Sequence, residues 1–437
     1  MSQASGVAHG DALQIVGRLA GPAGALGAVV FLLAPQAAPG LVVASAIFAL
    51  ANARLSSGQW QSLDTNRTWL ALLPLTAWLV FSALRSPDAG NGLAALAAFI
   101  ISVGCAIVCC QQISRFSDDA YRRMADGLVI GFVTATWLLM IDIATDLGLR
   151  RMFASVVPVL PHDYITWRDG WITALPAFIS NKNMAAIMLL AWPVLLLTRG
   201  AERGSRAWWA RIATIGAAVL AIFWSDHEAS KLAIVVGTGV YLAARWSRLW
   251  TWRALGAGWV VATLLVVPIS YGAYQLGAYK FDGLQYSGKH RLVIWGYTAG
   301  EVAKAPLLGK GLGATRAADE MTSKQGYAPG TSIKLGTNVH SHNVFLQMWH
   351  EAGLIGAVLL LIAGWPALAW LRRTDDVSAP YMMAAWVTAM VMAAVTWSMV
   401  AAWFIASFAF AALWAAFAVD GQRRARARTL GKAATPA

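Results

Sequence analysis

Gly90-Asn91-Gly92-Leu93-Ala94-Ala95-Leu96-Ala97-Ala98-Phe99-Ile100-Ile101-Ser102-Val103-Gly104-Cys105-Ala106-Ile107-Val108-Cys109-Cys110-Gln111-Gln112 runs for 23 residues without a charged side chain. A helix crossing the hydrocarbon core of a bilayer needs about 20 such residues. The run lacks the polar–apolar alternation that a strand of an outer-membrane barrel requires. It therefore reads as a membrane-spanning helix. Similar runs recur near 17–35, 38–54, 68–84, 126–148, 182–198, 209–225, 230–246, 254–276, 353–371, 379–399 and 402–419, about twelve spans in all. The stretch 341–352 reads as a half-helix leading into the tenth.

Composition agrees with that reading. Of 437 residues 58% are hydrophobic and only 13% charged, with a mean hydropathy of +0.57. Soluble domains carry roughly a quarter charged residues, so a soluble enzyme, a disordered chain and a disulfide-stapled secreted domain are excluded. The formal net charge of +13 does not point to nucleic acid, because the basic residues sit in short clusters between apolar runs. Cys105, Cys109 and Cys110 all fall inside one such run and read as packing residues rather than a disulfide or zinc framework. The polar N-terminal residues precede a long apolar run, which reads as a retained anchor rather than a cleaved signal.

Alternate connections carry the basic clusters: Arg54 and Arg67; Arg115, Arg122 and Arg123; Arg199, Arg203, Arg206 and Arg211; Arg245, Arg248 and Arg253; Arg372 and Arg373. The positive-inside bias then places both termini in the cytoplasm. The expected organisation is nine helices over 1–276 with an outward segment at 149–181, a large outward loop at 277–341, three helices over 342–420 and a basic tail at 421–437. The large loop holds eight basic residues against Asp282, Glu301, Asp319 and Glu320. An outward basic loop between membrane helices suits an anionic ligand such as a lipid-linked phosphate, or is simply solvated.

Three polar segments could carry chemistry. Asn338-Val339-His340-Ser341-His342-Asn343 places two imidazoles, two amides and a hydroxyl at the mouth of a membrane helix. Its readings are a metal site, helix capping by Ser341 and Asn343, or an imidazole base with a pKa near 6.5. Ser287-Gly288-Lys289-His290-Arg291 precedes apolar residues at 292, 295, 299 and 302, which predict a short amphipathic helix beginning near Arg291. Arg291 there is either a phosphate clamp beside free N–H groups or a snorkelling interfacial residue. Ser225-Asp226-His227-Glu228-Ala229-Ser230-Lys231 puts a lysine at the start of an outward-facing helix end, where a ligand phosphate or a salt bridge to Asp226 or Glu228 would justify it. Gly309-Lys310-Gly311-Leu312-Gly313 lacks the strand and the Gly-Lys-Ser/Thr ending of a nucleotide loop, which leaves a tight turn or an anion nest.

These residues resemble the bacterial O-antigen ligases, within the O-antigen ligase and polymerase superfamily. The ligase pattern His-Asn-x9-Gly-x-x-Gly is matched by His342-Asn343 and Gly353-Leu354-Ile355-Gly356. Arg291 before Ile294-Trp295, the Pro306-Leu307-Leu308-Gly309-Lys310-Gly311 stretch, and Asn181-Lys182-Asn183 are similar to further elements. Where the family shows Ser-Arg at the start of a middle helix, this chain has Ser230-Lys231, which keeps the charge and loses bidentate geometry. The resemblance implies an all-α polytopic, GT-C-like membrane protein with a periplasmic loop containing short helices between spans nine and ten. It implies an inverting, metal-independent glycosyltransferase without cofactor in the bacterial inner membrane. Such an enzyme moves O-antigen polysaccharide from undecaprenyl pyrophosphate to a sugar hydroxyl of lipid A–core on the periplasmic side. His342 would be the base and Arg291 and Lys231 the diphosphate cations, with Lys289, His290, His340, Asn343 and Asn181 in support.

An O-antigen polymerase or a protein O-oligosaccharyltransferase would share these elements. A flippase for polyprenyl-linked sugars is the reading from another class; it calls for ionisable residues inside the spans, where Asp142 and Asp146 are the candidates.

Overall fold

A computed structural model describes residues 2–57, 67–156, 166–168, 171–174, 177–322, 326–337 and 340–433. Sixteen helices are seen among them. The first five are α1 (Ser2–Leu33), α2 (Ala38–Ser57), α3 (Arg67–Leu84), α4 (Ala89–Gln112) and α5 (Asp118–Ala144). A short α6 (Gly148–Val156) and a two-stranded antiparallel hairpin, β1 (Thr166–Arg168) and β2 (Trp171–Ala174), fill part of the first long connection, so the all-helical expectation omits one small hairpin. There follow α7 (Asn181–Leu197), α8 (Arg206–Trp224), α9 (Glu228–Trp246), α10 (Arg248–Leu264) and α11 (Val266–Gln275). The large loop contributes α12 (Tyr286–Val302) and α13 (Ala314–Thr322), and the chain ends with α14 (Val344–Arg373), α15 (Ala379–Val395) and α16 (Ala402–Ala433).

Each expected apolar run lies on a helix, and the chain is a polytopic membrane protein. Among the described residues seven helical stretches suffice by length and composition to cross a bilayer, and the bent pair α10–α11 would make an eighth. The pair departs from the straight ninth span that the sequence suggests: its two halves meet at 68°. Pro268 explains the break, since its ring clashes with the carbonyl four residues back, at Leu264, and it has no N–H to give. Gly353 breaks α14 in the same sense, with φ 69° and ψ −168°, so that Val344–Ala352 is the half-helix expected before span ten.

At the centre lies α7, buried on all sides from Asn183 to Val194 against α1, α5, α8, α15 and α16. A helix apolar all round belongs inside a bundle. Asn183 ties its start to α1, donating Nδ2 to the carbonyls of Leu32 (2.5 Å) and Leu33 (2.9 Å). Arg150 completes this corner with Nη2 on Asn183 Oδ1 (2.9 Å) and Nε 2.8 Å from the buried Asp142 carboxylate. Asp142 is thereby ion-paired within the bundle. At the opposite end of the bundle Arg424 reaches Asp118 and Asp420 and the carbonyls of Phe116 and Ile113, closing α16 on the α4–α5 turn.

Between helices in lipid, close approach of backbones replaces hydrophobic burial as the driving term. The α1–α5 pair uses it: a Cβ on Gly127 would overlap the carbonyl oxygen of Gly21, and one on Gly131 that of Ala25. We expect Gly127→Val to cost about 1–3 kcal/mol through overpacking. Thermal unfolding of the purified protein in detergent checks it; an unchanged midpoint would show that α1 and α5 can separate without penalty.

Candidate functional site

The first turn of α14 fixes the His-x-His segment. Asn343 caps the helix, its Oδ1 accepting from the Leu346 N–H (3.0 Å). Ser341 Oγ donates to the Asn343 carbonyl (2.9 Å), and Trp295 Nε1 of α12 donates to the Ser341 carbonyl (2.9 Å). Held from both sides, His342 adopts φ +55°, a left-handed conformation that costs a residue with a side chain free energy and concentrates at working sites. Its Nδ1 meets the main-chain carbonyl of Thr396, just past α15. A carbonyl only accepts, so Nδ1 carries the proton and Nε2 of the neutral ring keeps its lone pair.

His342 feels the fields of one guanidinium, Arg291, and of two more imidazoles, His340 and His290, while His227 packs on Trp397 next to Thr396. The His340 ring centroid is 4.2 Å away, and its Nε2 is buried with no partner among the described residues. Arg291 donates Nη1 to the Ser287 carbonyl (3.3 Å); its Nε is buried without a partner, and no carboxylate forms an ion pair with it among the described residues. Burial alone holds its pKa below the usual guanidinium range. Burial and then the Arg291 charge push His340 down to about 4 and His227 to about 3, and lower His290. His342 is lowered to about 3 by burial first, then by His340, with Arg291 and His290 adding to it and the Thr396 bond opposing. The imidazoles are thus neutral at physiological pH and share one buried cation.

The structure corrects one local expectation. Helix α12 begins at Tyr286, so Arg291 lies in its second turn and not beside free N–H groups at a helix start. What sets it apart is burial without a carboxylate partner among the described residues. Lys231 is held by Glu228, Nζ to Oε1 2.8 Å, which selects the salt bridge over a free cation. Lys289 lies 3.8 Å from the exposed Asp282, and His290 stacks on Tyr286 with centroids 6.1 Å apart. Asn343 is committed to capping. Asn181 opens α7 with a buried Oδ1 that has no partner among the described residues. Asn338 lies outside them.

Several contributors escape a reading of the sequence. Trp397 stacks near His227 (5.5 Å) and meets Trp403 edge-on (4.8 Å), while Lys182 sits 5.2 Å over the Trp403 ring. His227 lies in the same Ser225–Lys231 segment as Lys231. The glycine turn is a nest filled by the protein's own carboxyl group: Glu351 accepts from the N–H groups of Gly313 (2.8 Å) and Thr315 (3.3 Å). Gln347 donates to Glu351 (2.8 Å) and to Ser398 (2.9 Å), joining this turn to the one that carries Thr396. Among the described residues no three His, Cys, Asp or Glu side chains group as metal ligands.

The depressed imidazoles make stability depend on pH. In the unfolded chain each takes a proton near 6.5, whereas His227, His340 and His342 do so in the folded protein only near 3 to 4. As pH falls below about 6.5 the unfolded state binds protons that the folded state refuses, so stability drops. Unfolding midpoints in detergent should fall between pH 7.5 and 5, and His340→Gln should flatten the slope. A midpoint indifferent to pH over that range contradicts the neutral cluster.

Residues 212–361, which hold His227, Arg291, His340, His342 and the Gly353 kink, match the O-antigen ligase family. The chain is also similar to proteins named "putative polysaccharide ligase". That of Rickettsia conorii is 23% identical over 354 residues, covering 73% of this chain and 76% of the relative. Those of Rickettsia prowazekii and Rickettsia felis are 22% and 24% identical over 319 and 296 residues, covering 72% and 66% of this chain and 70% and 65% of the relatives. The match lies on the segment that builds the site, and both comparisons support a place in the O-antigen ligase superfamily.

Proposed function

We propose that the protein is an inverting, metal-independent polysaccharide ligase. It transfers O-antigen from undecaprenyl pyrophosphate to a sugar hydroxyl of lipid A–core at the periplasmic face of the inner membrane. The observation that carries the reading is the bond of His342 Nδ1 to the Thr396 carbonyl, which leaves Nε2 its lone pair, within electrostatic reach of a buried guanidinium, Arg291, that has no carboxylate partner among the described residues. A sugar diphosphate is already activated. The protein has to remove the proton of the incoming hydroxyl and stabilise the departing diphosphate.

In this scheme His342 takes the hydroxyl proton on Nε2 while the oxygen bonds to the anomeric carbon from the face opposite the diphosphate, which inverts that centre. Arg291 offers two or more N–H groups to phosphate oxygens and is the cation whose burial the anion would compensate. Lys231 is a secondary cation that would have to leave Glu228 to take part. His340 and His290 keep the surroundings neutral, Asn343 sets the position of His342, and Lys289 and Asn181 lie at the margins. The basic clusters in alternate connections support this orientation.

Purified protein supplied with lipid-linked polysaccharide and lipid A–core should yield ligated lipopolysaccharide. His342→Ala should lower the rate by about 10²–10⁴-fold, the usual contribution of a general base, with the protein still folded in detergent. Arg291→Lys should retain part of the rate and Arg291→Ala little. Undiminished turnover in His342→Ala refutes the base, and loss of turnover in EDTA refutes the metal-free scheme.

A further inference from the structure

The turn between α8 and α9 delivers to the site an imidazole that the scheme above leaves idle. His227 is 4% exposed and packs on Trp397, centroids 5.5 Å apart, the residue after the Thr396 whose carbonyl holds His342. Its Nδ1 lies 2.7 Å from Oγ of Ser230, three residues along. Ser230 is fully buried, and this is the one hydrogen bond of its side chain among the described residues. A buried hydroxyl proton needs an acceptor. Ser230 therefore donates, Nδ1 accepts, and the proton of the neutral ring resides on Nε2. Burial and the Arg291 charge keep that ring neutral.

The two imidazoles thus carry opposite tautomers. His342 spends its N–H on the Thr396 carbonyl and presents a lone pair; His227 spends its lone pair on Ser230 and presents an N–H. Lys231, one turn beyond His227, is engaged with Glu228. The segment therefore meets Arg291's surroundings with a neutral donor rather than a second free charge.

We propose that His227 is a second catalytic imidazole, donating its Nε2–H to an oxygen of the anionic leaving group held by Arg291. The assignment rests on the transfer reaction proposed above. In that reaction the acceptor O–H gives its proton to His342 Nε2, and its oxygen forms the new bond to the anomeric carbon. The anomeric carbon–oxygen bond to phosphorus breaks, its electron pair passing to the phosphate oxygen. His227 transfers no proton; its hydrogen bond tightens as charge gathers on that oxygen. A neutral donor of this kind acts on the transition state more than on the bound substrate, so it affects kcat before KM.

The test uses the full-length protein in the ligation assay, with kcat and KM for the lipid-linked polysaccharide. His227→Phe keeps the ring volume and removes the donor; His227→Gln restores a neutral N–H; Ser230→Ala leaves the ring without its tautomer lock. Losing one such donor should lower kcat by about 10²-fold or more in His227→Phe, with KM nearly unchanged, and His227→Gln should recover much of it. Ser230→Ala, the mildest change in volume, should fall between wild type and His227→Phe, and it decides the matter if His227→Phe does not fold. Full activity in His227→Phe, or equal loss in the Phe and Gln variants at unchanged unfolding midpoints, overturns the donor role. His342→Ala runs alongside. If it is inactive while His227→Phe is fully active, only the His227 assignment falls. If both are fully active, the transfer scheme itself falls.

Discussion

The hydrogen bond from His342 Nδ1 to the Thr396 carbonyl is the contact on which the rest of the site depends. It selects the tautomer, aims the open nitrogen and fastens the start of α14 to the end of α15. A main-chain carbonyl is a good partner because it cannot rotate away and cannot titrate. Its position is guarded by a buried chain of polar groups. Glu351 receives the loop N–H groups of Gly313 and Thr315 and one hydrogen of Gln347, whose amide also engages Ser398 and the Met399 N–H. Each link is satisfied by a neighbour, which is the condition under which a buried polar network rigidifies rather than weakens a structure.

Around that contact the electrostatics are unusual for a basic protein. The chain carries +13, yet the site holds one buried guanidinium and a set of imidazoles that burial keeps neutral. A desolvated cation without a carboxylate is costly in isolation. An entering anion would offset that cost, while burial denies the neighbouring histidines a charge. Other basic residues are paired and close helix ends, as Arg424 does with Asp118 and Asp420.

The scaffold supports this by sealing its own polar groups. Asn183, Arg150 and Asp142 close the corner of α1, α5, α6 and α7, and Trp78 and Ser82 of α3 donate to the carbonyls of Ala352 and Glu351 exposed by the Gly353 kink. A kink in a membrane helix frees carbonyls that lipid cannot satisfy, and here two side chains from one neighbouring helix take them up. The Leu307 carbonyl lies so close to Gly353 that a Cβ there would collide with it, which is one physical reason for the first glycine of the His-Asn-x9-Gly-x-x-Gly spacing.

Hydrophobic run length determined the helices, because a bilayer demands uninterrupted apolar stretches whatever their packing, and the twelve runs read from the sequence all fall on helices. The sequence likewise singled out His342, His340 and Arg291, since imidazoles and a guanidinium are conspicuous in an apolar chain. It could not show that Arg291 lies inside a helix rather than at its start, that Lys231 is taken by Glu228, or that His227 packs on Trp397, the residue after Thr396. Nor could it name Thr396, which acts through a backbone atom that every residue possesses. Those features depend on which elements meet in space. Partners distant in sequence, 54 residues apart for His342 and Thr396, are brought together by helix packing alone.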